Sequence, residues 1–121
     1  MWILNLTRGN VVANHATVAK HFFERLRGLI GSGPLQIGGA LWIPTCQGIH
    51  TFGMTYPIDV VFLNQTGNVV RLVPEIPPNV LGPVSFQAKS TLELPSGAIA
   101  KLGIKLGNQL LFTDRVQEST G

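Results

Sequence analysis

The chain has 121 residues, of which 45% are hydrophobic and 12% charged, with a formal net charge of +3. A single domain of that size buries roughly two-thirds of its unfolded surface, and so apolar a composition excludes a largely disordered chain. The basic residues are spread from Arg8 to Arg115 without a run, which leaves out the charge footprint of a nucleic-acid binder.

In chain order, Trp2-Ile-Leu-Asn-Leu and Asn10-Val-Val-Ala read as two strands around Gly9, an opening hairpin. This start lacks a basic leader and a long apolar run, so neither a signal peptide nor a membrane span is expected, and the expected location is cytoplasmic. Residues 16–31 carry Val18, Phe22, Leu26, Leu29 and Ile30 at helical spacing, which predicts one main amphipathic helix with Thr17 as N-cap and Gly28 or Gly31 as its end. Lys20, Arg25 and Arg27 fall on its solvated side.

A glycine-rich loop then leads to a short strand, Ala40-Leu-Trp-Ile, stopped by Pro44. The run Ile58-Asp-Val-Val-Phe-Leu-Asn is apolar on both faces apart from Asp59 and predicts a central strand. Gln65-Thr-Gly-Asn is a tight turn into a returning strand, Val69 to Val73. Three prolines between Pro74 and Asn79 predict a stiff loop rather than sheet. Strands are expected at residues 84–88 and 90–95, and Ser96 is the expected cap of a short helix over residues 97–103. Two short strands are expected around Gly107-Asn108. The fold class this predicts is mainly β (α+β). It is a compact, partly closed barrel of about seven or eight short strands, with one main amphipathic helix and one short helix. The domain spans residues 1–113, and residues 114–121 form a frayed tail.

Chemistry concentrates between Cys46 and Leu63. The only cysteine excludes an internal disulfide. Cys46 and His50 in an extended strand stand about 13 Å apart at 3.3 Å per residue, whereas a thiol–imidazole hydrogen bond needs about 3 Å. Only a sharp bend at Gly48 closes that gap, so Cys46 reads as a buried structural thiol. If Gly53 to Tyr56 is a hairpin loop, His50 and Asp59 become cross-strand neighbours with Cβ atoms about 5 Å apart. Such a pair serves acid–base chemistry or satisfies two half-buried polar groups. Cys46, His50 and Asp59, with Glu93 more remote, are chemically suited to a metal. No paired-ligand spacing accompanies them, so no metal site is expected. The glycine-rich loop lacks the Lys-Ser or Lys-Thr of a phosphate cradle, and no cofactor is expected.

Taken together, Arg25-Leu-Arg-Gly-Leu-Ile-Gly, the stretch from Cys46 to Leu63, Gly67-Asn-Val-Val, the proline loop and Leu92-Glu-Leu-Pro-Ser-Gly closely resemble the domain-of-unknown-function 192 family (uncharacterised protein family 0127). The resemblance runs from about Arg25 to Phe112. Thr55-Tyr56 stands where an arginine and an aromatic are common, and Asn108 where an aspartate is expected. The resemblance implies a small β-rich fold with no established activity. Its motif residues here are His50, Thr51, Met54, Pro57, Asp59 and Glu93. By family analogy it also implies an association with pilus or secretion apparatus.

Two functions remain open on these grounds. One is a non-catalytic binding or accessory module that takes a peptide segment or a small molecule. Its concavity is lined by His50, Thr51, Met54, Tyr56 and Asp59, with Pro74 to Pro78 at the rim. The other is a small hydrolase or transferase using His50 and Asp59 as acid and base, with Cys46 as a further candidate. Either is expected to act as a monomer or weak dimer, away from membranes.

Overall fold

The computed structural model describes residues 1–19 and 34–114. Ten strands occur among these residues: β1 (Trp2–Asn5), β2 (Asn10–Ala13), β3 (His15–Val18), β4 (Gly39–Ile43), β5 (Gly48–His50), β6 (Ile58–Leu63), β7 (Val69–Ile76), β8 (Leu81–Val84), β9 (Ser90–Pro95) and β10 (Leu110–Thr113). One short helix, α1 (Ala98–Leu102), lies between β9 and β10. The chain is mainly β, but the expected barrel is not formed. The strands make a three-stranded sheet in the order β10-β1-β2, a five-stranded sheet in the order β3-β4-β9-β6-β7, and a separate β5-β8 ribbon. Closure would require β3 to pair with β7, and both remain edges of the large sheet.

The large sheet is antiparallel except where β3 runs parallel to β4. That pairing corrects the helix reading at its start. Ala16, Thr17 and Val18 form strand opposite Ala40, Leu41 and Trp42, so Thr17 caps nothing. The remainder of the expected main helix, residues 20–31, lies outside the described residues. Where only a few residues match a helical period, a partner strand overrides it.

Inside the large sheet, β6 is buried along its whole length between β7 and β9. Alternation sends its side chains to opposite faces. Val61 and Leu63 join Leu92, Leu94, Ile3, Val12, Ile99 and Leu110 in one core cluster. Ile58, Val60 and Phe62 join Leu41, Ile43, Ile49, Met54, Tyr56 and Ile76 in the other. Each of these large side chains contributes about 1.5–3 kcal/mol by leaving water. The three-stranded sheet and α1 cover the first face, and Trp42 of β4 stacks on Phe112 of β10 with ring centroids 4.3 Å apart. The segment from Cys46 to Tyr56 packs on the second.

Two further expectations fail for identifiable reasons. The proline loop was expected to begin at Pro74, yet β7 continues to Ile76. The strand is an edge, where proline costs no ladder bond. One extra residue is absorbed there, because Ile58 pairs with Ile76 while Val60 pairs with Val73. The bulge that results carries Glu75 at φ 52, an uncommon left-handed geometry for a residue with a side chain. The strand expected at residues 84–88 lies instead at Leu81–Val84, and only one of the two closing strands, β10, is present among the described residues.

Candidate functional site

The β6 strand delivers Asp59 into the first core with no solvent exposure. A carboxyl group there needs several donors, and it has three. The backbone N–H of Glu75 and that of Gly97 donate to Oδ1 at 2.8 and 3.0 Å, and that of Ile99 donates to Oδ2 at 2.8 Å. The β7 bulge explains the first bond, since it turns the Glu75 N–H toward the aspartate. The other two tie down the first turn of α1. Ser96 was the expected cap, but the helix has Gly97 at its N-cap with φ 89 and no capping side chain of its own. Asp59, from a strand far back in sequence, fills that role.

The expected His50–Asp59 pair is not formed by the strand pairing. β5 pairs with β8, so His50 lies opposite Leu81, while Asp59 lies opposite Leu94 of β9. His50 accepts the Phe52 N–H at Nδ1 (3.3 Å) and stacks on the Phe52 ring at 5.2 Å. The bend needed for a Cys46–His50 dyad is also missing, because β5 runs extended from Gly48. Cys46 instead donates its thiol to the Gly48 carbonyl oxygen at 2.9 Å.

Thr51 is fully buried and acts as a fastener. Its hydroxyl donates to the Pro77 carbonyl at 2.7 Å and accepts the Val80 N–H at 2.8 Å, and its carbonyl accepts the Asn79 N–H at 2.8 Å. The proline loop is thereby stitched to the end of β5. Met54 and Tyr56 are core residues of the second face. Glu93 is also fully buried. It pairs with Val60 and so points to the second face, whereas Asp59 points to the first. The sheet itself separates the two carboxyl groups. Among the described residues, no three His, Cys, Asp or Glu side chains gather as a metal site would require.

Open space lies on the other side of the corner that Asp59 holds. A cleft of about 490 Å³ runs between β2 and the Pro95–Leu102 corner. Val11, Val12, Ala13, Ala98 and Leu102 give it apolar walls, with Asn14, Ser96 and Lys101 as its polar side chains. A smaller cleft of about 320 Å³, lined in part by Tyr56 and Pro57, shares Ile37, Pro95 and Ser96 with it. Of the five residues expected to line a concavity, Tyr56 lines the smaller cleft, and Asp59 braces the wall of the larger one from behind. His50, Thr51 and Met54 line neither. Tying Asp59 to His50 missed this corner; the signal that could have found it is a lone aspartate in an apolar strand, which has to find donors somewhere.

The architecture and the buried, backbone-bonded aspartate define a small mainly β domain. The DUF192 family model, described as an uncharacterised conserved family, matches residues 4–112, and the chain belongs to that family. Archaeal relatives are named UPF0127 proteins. One from Thermococcus sibiricus is 30% identical over 112 residues, covering 89% of this chain and 72% of its own. One from Pyrococcus furiosus is 29% identical over 118 residues, covering 89% and 95%. Two solved structures share the fold. A protein of unknown function from Novosphingobium aromaticivorans superposes with a TM-score of 0.73 at 18% identity, covering 92% of this chain and 82% of its own. A putative transcription regulator from Sinorhizobium meliloti superposes with a TM-score of 0.75 at 17% identity, covering 91% and 89%. No helix among the described residues is long and apolar enough to cross a membrane.

Proposed function

We propose that the chain is a non-catalytic binding module whose ligand seat is the cleft between β2 and the Pro95–Leu102 corner. The observation that carries this reading is the use made of Asp59. Both of its oxygens are committed to backbone N–H groups that fix one wall of an apolar cleft. A wall held in place before the ligand arrives lowers the ordering cost of binding. The cleft also has the usual make-up of a small-molecule site, apolar walls with a few polar groups at the edge.

A hydrolase or transferase built on His50 and Asp59 draws less support, because strand pairing sets them opposite different partners and the Asp59 oxygens are already engaged. The test is a fragment titration of the ¹⁵N-labelled chain followed by amide chemical shifts. Small apolar fragments are expected to perturb residues 11–14 and 95–102. Shifts confined to residues 48–54 would move the seat to the His50 segment, and no saturable shift at either place would remove the proposal.

A further inference from the structure

Building on the cleft as ligand seat, we infer that its ligand is a small apolar monocarboxylate. Its aliphatic body lies against Val12, Ala98 and Leu102, and its carboxylate sits at the edge formed by Asn14, Ser96 and Lys101. Three features of the lining lead there. Among the described residues of the lining, Lys101 is the only charged one, so they bring a positive charge and no carboxylate. A lysine ammonium donates hydrogen bonds and accepts none.

Asn14 accepts from the neighbouring imidazole in the tautomer that carries its proton on Nδ1. Its Oδ1 lies 3.1 Å from His15 Nδ1 and close over Gly38, where an added Cβ would sit 2.6 Å from that oxygen. The amide Nδ2–H₂ is the half left to meet a ligand. Ser96 adds a hydroxyl that can donate, and it is not spent as a helix cap. The exposed polar side chains of the lining, Asn14, Ser96 and Lys101, thus offer donors, and a carboxylate is the acceptor-only group that matches them. The walls, in contrast, offer little to a sugar or nucleotide, whose many hydroxyl and phosphate groups would face Val11, Val12, Ala13 and Leu102. Chemical complementarity therefore selects one negative charge on an apolar body.

The test uses the full chain, ¹⁵N-labelled, with three probes of equal chain length at constant ionic strength: octanoate, 1-octanol and octylammonium. Octanoate is expected to shift residues 11–14 and 96–102 and to bind about fivefold more tightly than octanol, the scale of one exposed charge pair. Octylammonium is expected to bind more weakly than either. Lys101 is exposed, so Lys101→Glu leaves the fold intact, and it should abolish the preference for octanoate. Raising the salt concentration should shrink that preference in the unsubstituted chain. Equal affinity for octanoate and octanol, or a preference that survives Lys101→Glu, overturns the carboxylate inference while leaving the cleft as an apolar seat. If none of the three probes shifts these residues, the seat itself is refuted and the inference goes with it.

Discussion

Replacing Asp59 by asparagine preserves shape and removes one acceptor. In the native chain Oδ1 takes two backbone N–H groups and Oδ2 takes the third, all within 3.0 Å. Asparagine keeps a single oxygen. In its better orientation that oxygen stays with Glu75 and Gly97, and the new NH₂ faces the Ile99 N–H, donor against donor. The Ile99 bond is then lost, and two buried donors lack acceptors in a site with no solvent access. A hydrogen bond to a charged group is worth about 1.5–3 kcal/mol and a buried orphan costs a similar amount, so Asp59→Asn should cost about 3 kcal/mol.

Urea unfolding should report that loss as a lower midpoint at unchanged slope, and Tm should fall by about 10–15 °C for a chain of this length. Hydrogen exchange supplies the local readout, because the Gly97 and Ile99 amides should lose protection before the amides of β6 do. A loss under about 1 kcal/mol, with the protection of Glu75, Gly97 and Ile99 unchanged, would refute the three-donor account.

The contrasting substitution is Ser96→Ala. Because Asp59 and not Ser96 serves the helix, the change should stay within about 0.5 kcal/mol in the same urea assay, against about 1 kcal/mol for a working N-cap. Thr51→Val keeps the shape and deletes both hydroxyl bonds to the proline loop. It should cost about 2–3 kcal/mol, read as a drop in urea midpoint with faster amide exchange at Val80. At Gly67, φ is +80 and an added Cβ would come within 2.7 Å of the Leu110 carbonyl oxygen. Gly67→Ala should therefore cost about 1–3 kcal/mol by calorimetry. Phe62→Ala opens a cavity in the second core and should cost about 3–5 kcal/mol in urea unfolding.

What the sequence makes legible follows the range of the interaction. The β1–β2 and β6–β7 hairpins are local, and their turns and apolar runs announce them. The character of β6, apolar on both faces apart from Asp59, announces a strand covered on both sides. Pairings between distant segments are not announced. A hairpin loop at Gly53–Tyr56 would set His50 opposite Asp59, but the partner of β5 is β8, some thirty residues on. Thr17 looked like a cap because a neighbouring strand leaves no trace in a local pattern. Pro74 and Glu75 looked like a strand end because proline statistics describe central strands, and β7 is an edge. A lone aspartate in the apolar run of β6 is visible in the sequence, but its partners are not. Its donors lie at residues 75, 97 and 99, and no spacing rule connects those positions to it.

The small sheet has its first strand in the middle, with Ile3 fully buried there and Phe112 as its partner on β10. β10 follows β1 by about a hundred residues, so a growing chain holds β1 with one neighbour, β2, until Leu110–Thr113 has been made. Premature stop products that end anywhere before Leu110 would display a half-zipped, greasy β1 edge, the kind of surface that chaperones and proteases recognise. The small sheet is accordingly the last part of this fold that can close.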